Sequence, residues 1–337
     1  TVTGASTFAA GTANDITLTK ANDFSTVSIT TGNNVAITDK NAVVLGTSAV
    51  SGTLGVSTSG AITQSGAATV TGASTFAAGT ANDITLTQAN DFSTVAITTG
   101  NNVSITDSNA LVLDAFSVSG TLGVSTAGAI TQSGASTVTG ASTFAAGTAN
   151  DITLTKANDF STVSITTGNN VSIVDTTAVV LGTSDVTGNL AVTAAATNAT
   201  AFSQSGVLTV TGTSTFTANG TTPDAVLTKS NVLIGNVSFA NSGATFRDIS
   251  LTNTSATVGT LSFPASFRSL TLDQSAAAVA FSTAATLSGS LTVTAGGAIT
   301  QTKTLTVAKG ASFTAGTAND ITLTQANDFS TVTIVSG

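Results

Sequence analysis

Aspartate is the residue in this sequence best suited to chemistry, and it recurs at a fixed spacing. Three aspartates recur at matching positions in the first three repeats: Asp15, Asp23 and Asp39; Asp83, Asp91 and Asp107; Asp151, Asp159 and Asp175. Paired carboxylates carry out acid–base catalysis in glycoside hydrolases, and carboxylate oxygens also suit calcium. A catalytic group is needed once, whereas these groups return at the matching position of each repeat. Because aspartate also shapes turns through its own backbone, we expect turn residues here.

The arginines are the second candidate for chemistry, because they occur once rather than in every repeat. The sequence holds two, Arg247 and Arg268, and they lie near Asp248 and Asp273. Acids and bases converging on one outward face would favour a carbohydrate-active β-helix enzyme. Charged pairs of this kind are more often surface ion pairs, so we expect no catalysis from them.

Other reaction classes lack their usual residues. There is no histidine or cysteine, which removes the base of a serine triad and the common ligands of zinc and haem. The phosphate-binding loop, the dinucleotide fingerprint and the calcium-binding loops have no match in the sequence. We therefore predict that the protein is not an enzyme and has no catalytic, cofactor-binding or metal-binding residues.

Composition and charge limit the classes of partner that the protein can bind. The formal net charge is −8, and this disfavours nucleic acid and anionic membranes, which attract basic surfaces. No apolar run reaches the roughly 18 residues of a membrane-spanning helix, so we expect no direct membrane insertion. Threonine, valine and isoleucine are frequent, and such β-branched residues favour strands.

The chain is built from repeats. The segment TVTGASTFAAGTANDITLT begins at Thr1, Thr69 and Thr137. We assign units 1–68, 69–136 and 137–208, a divergent segment 209–305 and a partial unit 306–337, together forming one continuous solenoid. Because the sequence starts and stops within this pattern, we expect a fragment of a longer chain.

Within a unit, apolar residues alternate with polar ones over short stretches. Examples are Ile84 with Leu86 and Val103 with Ile105, separated by glycine, asparagine and aspartate. This period of two predicts about nine strands per unit. With three strands per coil, each unit would form about three coils of roughly 23 residues. Each repeated phenylalanine would then return to the same column every third coil. The whole chain would form a rod about 70 Å long.

A family resemblance supports this reading. The stretches GSLTVTAGGAITQ (289–301), SGVLTVTGTSTFTANG (205–220) and GTANDITLTQANDFSTV (79–95) resemble the central repeats of bacterial filamentous haemagglutinin-like adhesins, of the two-partner secretion and autotransporter passenger type. The resemblance implies an all-β, right-handed parallel β-helix, export to the extracellular cell surface and an adhesive or scaffolding role.

The expected function is therefore structural. We predict a non-catalytic repeat segment of a secreted bacterial surface filament or adhesin, acting as a rigid stalk or fibre building block. The alternative is a self-assembling extracellular fibre or surface-layer subunit, and the second alternative is the carbohydrate-active enzyme. Expected partners are other copies of the chain, end to end or side by side, or glycans and proteins on host or neighbouring cells.

Overall fold

The alternating sequence forms strands throughout. The computed structural model describes residues 1–243 and 245–337, and none of these residues lies in a helix. Accordingly, these residues contain no helix long and apolar enough to span a bilayer. They divide into two compact units, 1–163 and 164–337.

Short strands follow one another along both units. The strands that begin in the first unit are β1 (Val2–Ala9), β2 (Ile16–Asn22), β3 (Phe24–Gly32), β4 (Val35–Asp39), β5 (Val43–Val50), β6 (Leu54–Thr58), β7 (Ile62–Gln64), β8 (Ala68–Ala77), β9 (Ile84–Gly100), β10 (Val103–Asp107), β11 (Leu111–Val118), β12 (Leu122–Thr126), β13 (Ile130–Gln132), β14 (Ser136–Ala145) and β15 (Ile152–Thr167). Those that begin in the second unit are β16 (Val171–Asp175), β17 (Val179–Leu181), β18 (Ser184–Val186), β19 (Leu190–Ala195), β20 (Thr200–Gln204), β21 (Leu208–Val210), β22 (Ser214–Asn219), β23 (Asp224–Leu233), β24 (Val237–Asn241), β25 (Asp248–Asn253), β26 (Leu261–Ser262), β27 (Ser266–Phe267), β28 (Ser269–Gln274), β29 (Val279–Phe281), β30 (Ala285–Leu287), β31 (Leu291–Ala295), β32 (Ile299–Gln301), β33 (Leu305–Thr314), β34 (Ile321–Thr322) and β35 (Asp328–Ser336).

Each strand pairs in parallel with the strand one coil away, so each unit is an all-β parallel solenoid. In the first unit the register runs from Val35 to Leu54, to Ser74 and to Val95. The fold class expected from the alternation is thereby confirmed. Each of these steps is shorter than the coil that the sequence predicted, because strands bend around corners instead of ending there. For example, β9 pairs through Ile84 with β10 and through Val95 with β11.

Because these coils are short, one repeat covers three coils and about a third of the next. The register places Phe8 in one column with Ile29 and Ser48, and Phe76 in a second with Val56 and Ile97. Phe144 lies in a third column, which runs through Val124, Ile105 and Leu86. The expectation that each repeated phenylalanine returns to the same column was wrong. Successive repeats are instead rotated by about a third of a turn.

The core follows the inward phase of the alternation. Phe76, Phe92 and Phe144 are fully buried, as are Val95 and Ile97. Each repeat of the first unit packs the same two rings edge to face, with centroids 5.9–6.0 Å apart; the pairs are Phe8–Phe24, Phe76–Phe92 and Phe144–Phe160. Burying a side chain of this size contributes about 1.5–3 kcal/mol.

The second unit contains longer coils and one interruption. The register runs from Val171 to Leu190, then to Ser214, Val237 and Leu261. The first of these steps matches the coils of the first unit, and the three that follow are longer. Farther along, β29, β32 and β34 form a three-stranded sheet separate from the main one.

Candidate functional site

The outermost aspartates organise turns between coils. The Asp15 carboxylate accepts hydrogen bonds from the backbone N–H and side chain of Asn34 and from the side chain of Asn33, at 3.0–3.1 Å. Asp83 accepts the same three bonds one repeat later. The hydrogen bond from the Asn34 backbone N–H lowers the pKa of the Asp15 carboxyl. Both carboxylates bind neighbouring amides and close a turn, in agreement with the sequence interpretation.

A second set of aspartates lies inside the corners. Asp39 and Asp107 are each 2% exposed. Asp107 accepts the backbone N–H of Phe92 at 2.8 Å and that of Asn109 at 3.0 Å. Burial raises the pKa of the Asp107 carboxyl, while these two N–H groups act against the rise. Buried on all sides by its own turn, this carboxyl stabilises backbone donors and cannot reach a substrate.

The third set faces outward and pairs with the next coil. Asp91 accepts a hydrogen bond from Asn109 at 2.7 Å. Its counterpart Asp23 accepts one from Asn41 and also pairs with Lys40 at 2.9 Å. The hydrogen bond from Lys40 is the largest cause of the lowered pKa of Asp23. Since a serine, Ser108, replaces Lys40 in the second repeat, the ion pair is a variable addition to a constant turn.

A buried carboxamide pair recurs that sequence reasoning missed. The Asn90 Oδ1 accepts the backbone N–H of Ala68 at 2.9 Å and the Gln64 amide at 2.7 Å. Its Nδ2 donates to Gln64 Oε1 and to the carbonyls of Leu86 and Thr106. In the part of the chain that the structure describes, the same pairing joins Gln64 to Asn90, Gln132 to Asn158, Gln204 to Asn231 and Gln301 to Asn327. The recurring ITQ and AND segments contain most of these residues. Their separation could indicate a contact only once the coil length was known.

The arginines lie at an enlarged corner of the second unit. The extra residues of the long coils stack here, and two of them adopt left-handed conformations, Asn198 with φ 54° and Thr222 with φ 46°. The Arg247 guanidinium donates to the Asp224 carboxylate through Nε at 2.9 Å and through Nη2, and to the Asn198 carbonyl at 3.3 Å. Non-glycine residues seldom adopt such angles, and the surrounding contacts hold them there.

Two arginine–aspartate ion pairs link successive coils at this corner. Arg268 donates to the Asp248 carboxylate through Nε at 2.7 Å and through Nη2. The sequence drew attention to Arg247, Arg268, Asp248 and Asp273. The structure pairs Arg268 with Asp248 as expected, but it pairs Arg247 with Asp224, a residue that the sequence analysis did not name. Asp273 stands apart and accepts the Ser275 backbone N–H.

The electrostatics of this cluster suit ion pairing better than proton transfer. The hydrogen bonds from Arg268 hold the pKa of the Asp248 carboxyl below its usual range. Hydrogen bonds to the carboxylates also raise the pKa of Arg247 and Arg268. A general acid needs a carboxyl whose pKa is raised toward neutrality, and the reverse holds for Asp248. A groove of about 370 Å³ beside Arg247 and Arg268 is lined by hydroxyls and by Phe246 and Phe267.

Among residues 1–243 and 245–337, no group of three acidic, histidine or cysteine side chains is placed to hold a metal ion. The carboxylates that could bind a cation lie instead at separate corners.

Comparison with known proteins identifies the repeat. A family model described as repeats of unknown function (DUF5649) matches residues 1–31, 32–99, 100–167, 168–240 and 267–336. No curated protein matches the chain, and no solved structure does either. The matches 32–99 and 100–167 have the same length as the spacing between Thr1, Thr69 and Thr137. The stretch left unmatched, 241–266, lies within the segment that the sequence marked as divergent.

Proposed function

We propose that this chain, which belongs to the DUF5649 family of repeats of unknown function, is a non-catalytic structural segment of a secreted bacterial surface filament or adhesin. It would act as a rigid stalk or as a fibre building block. The observation that carries the proposal is the repeated corner. In the repeats, aspartates such as Asp15 and Asp107 and the glutamine–asparagine pairs are engaged in hydrogen bonds that hold the corners together.

The stability of such a fold is the sum of contributions from successive coils. Each coil satisfies backbone groups of its neighbour, as when Asn90 accepts the Ala68 N–H and Asp107 accepts the Phe92 N–H. In repeat proteins of this kind, stability is close to a sum of repeat and interface contributions, so length can change without a new design. A protein whose use depends on reach benefits from that property, whereas an enzyme does not.

Location and partners rest on the resemblance to haemagglutinin-like adhesins. We expect the chain at the extracellular cell surface, bound to other copies of itself or to glycans and proteins of host or neighbouring cells. The net charge of −8 is compatible with these partners and unfavourable for nucleic acid. Antibody labelling of intact cells that produce the protein tests the location, with permeabilised cells as the control. Labelling seen only after permeabilisation would contradict it.

Copy-number variants test the mechanical role. Deleting residues 69–136 joins Ala68 to Thr137, and because Thr69 and Thr137 begin the same segment, the junction keeps its native sequence. Duplicating the same residues is the matched opposite change. One repeat covers three and a third coils, so each variant should alter the length by about 16 Å at roughly 4.8 Å per coil.

Small-angle X-ray scattering over a dilution series measures this change. A maximum dimension that shortens and lengthens by that step, with constant mass at every dilution, supports a stalk. Mass that grows with concentration supports the self-assembling fibre. A maximum dimension that ignores copy number would refute both forms of the proposal.

A further inference from the structure

A slot interrupts the stacking of coils in the second unit. Residues 254–260 form no strand, and β29, one coil farther on, belongs to a separate sheet. Between residues 256–261 and residues 277–282 lies a cavity of about 620 Å³. Pockets for specific ligands usually measure about 300–1,000 Å³. The slot is therefore large enough for a binding site, and it lies where two neighbouring coils fail to pair.

One buried acceptor in the slot has no partner. Gln274 is 1% exposed and lines the cavity, its Nε2 donates to the Ala278 carbonyl, and its Oε1 has no hydrogen bond. In the recurring carboxamide pairs, the glutamine Oε1 accepts the Nδ2 of an asparagine one coil away, as Gln64 does from Asn90. The coil beyond Gln274 places Ala295 opposite it, which has no donor to offer. An unpaired buried acceptor is unfavourable, so a ligand that donates to it relieves that cost.

The edge of β29 supplies a donor and an acceptor of its own. Val279 donates its N–H to the Ala298 carbonyl, and the Phe281 carbonyl accepts the N–H of Thr302, both on the side of β32. Residues alternate sides along a strand that pairs in parallel, so the N–H and carbonyl of Ala280 face the opposite side. That side is the slot, which Ala280 lines. An unpaired strand edge of this kind is a template for another strand.

The walls define what can enter. They are formed largely by small apolar residues, including Ala256, Val258, Ala277 and Ala278, and the lining contains no charged and no aromatic side chain. A charged ligand would lose its hydration without a counter-charge, and a sugar ring would find no aromatic face to stack on. Part of this wall also falls within residues 241–266, where the family model does not match, so the slot belongs to this chain and not to the general repeat.

We propose that the slot binds an extended, uncharged peptide segment of a partner protein by β-strand addition. The peptide carbonyl accepts the Ala280 N–H, one peptide N–H donates to the Ala280 carbonyl, and another donates to Gln274 Oε1. Main-chain hydrogen bonds provide the affinity in this mode, and the small walls select short side chains. This binding site adds a partner to the structural role and stands independently of it.

The test uses the full chain and the capped peptide acetyl-Thr-Val-Thr-Val-Thr-amide. Isothermal titration should show saturable binding, and hydrogen exchange at the Ala280 amide should slow at saturation. A peptide methylated at the nitrogen of its central threonine and at both valine nitrogens lacks the three central N–H donors and should bind at least tenfold more weakly. Gln274→Met should weaken binding of the unmodified peptide about tenfold, while Gln88→Met, the same change at an exposed glutamine, leaves it unchanged.

Equal affinity for the methylated and unmodified peptides would overturn the proposal, as would the lack of saturable binding at millimolar peptide. Slower exchange at Ala280 with maltotriose but not with peptide would reassign the slot to a neutral saccharide. Because the methylated peptide is tested on the unaltered chain, the result does not depend on Gln274→Met folding correctly.

Discussion

The buried asparagine at position 90 gives the sharpest test of how the corners hold the coils together. Asn90 is 0% exposed, and its amide joins three segments: the Ala68 N–H, the Gln64 side chain and the carbonyls of Leu86 and Thr106. Asn90→Leu keeps a side chain of similar size and removes every one of these bonds. The buried N–H of Ala68 then has no partner, and the Leu86 and Thr106 carbonyls each lose one hydrogen bond.

The magnitude follows from counting those groups. An unsatisfied buried donor or acceptor costs about 1–3 kcal/mol, and some of the carbonyls keep a second bond in the strand ladder. Taking the Ala68 N–H and the Gln64 amide as the two groups that lose their partner, Asn90→Leu should destabilise the first unit by about 2–6 kcal/mol. Gln88→Lys, at an exposed position where the first and third repeats carry Lys20 and Lys156, should change stability by less than about 0.5 kcal/mol.

Urea unfolding followed by circular dichroism, together with hydrogen exchange at the Ala68 amide, measures the effect. Exchange at Ala68 should accelerate in Asn90→Leu far more than exchange at amides several coils away, because repeat proteins loosen locally. A loss of stability no larger than that of Gln88→Lys would refute the view that the carboxamide corner stabilises the stack.

Three further results are expected. Asn90→Asp keeps the acceptor for Ala68 but points an anionic oxygen at the Leu86 and Thr106 carbonyls, so the pKa of the new carboxyl should rise and urea stability should fall as pH increases from 4 to 7. The Ser74 hydroxyl is buried without a hydrogen bond, and the equivalent position in the last repeat is Ala311. Ser74→Ala should therefore raise stability by about 1 kcal/mol in thermal unfolding. A decrease in stability would show that the hydroxyl has a partner. Arg268→Met should raise the pKa of Asp248, seen in a carbon-13 NMR titration of its carboxyl, whereas Lys309→Met, the same loss of charge at an exposed site, should not. Since the pKa of Asp248 is lowered in the folded chain, its contribution to stability is present above the unfolded value of about 3.9 and is lost as pH falls through the folded value; Arg268→Met should remove that dependence on acid.

The repeating part of the fold was readable from the sequence because two signals agreed. Alternating pairs such as Ile84 and Leu86 fixed which side chains point inward, and glycine and asparagine marked the turns. The coil length was not readable. A corner can be a break between strands or a bend within one, and β9 shows the second case over Ile84–Gly100. This ambiguity accounts for the overestimated coil length and for the wrong column assigned to the phenylalanines.

The functional groups were predictable only where their partners are close in sequence. Asp107 binds the N–H of Asn109 two residues away, a local turn that composition suggests. Arg247 binds Asp224, 23 residues away, and pairing it instead with a nearby aspartate was the natural mistake. The slot beside Gln274 left no sequence signal, because it depends on a buried acceptor, Gln274 Oε1, that has no partner once the coils are stacked.

Because successive repeats are offset by about a third of a turn, the number of repeats sets the direction that a distant surface faces as well as the length of the solenoid. Unequal recombination between the identical stretches that begin at Gly11, Gly79 and Gly147 adds or removes whole repeat units and keeps the native sequence at the junction. Each such event also turns everything beyond it by about a third of a revolution, since Phe8, Phe76 and Phe144 occupy three different columns. Only gains or losses in multiples of three units leave a distant binding surface facing its original direction. Lineages that vary the number of repeats would therefore change the direction in which such a surface points along with its reach.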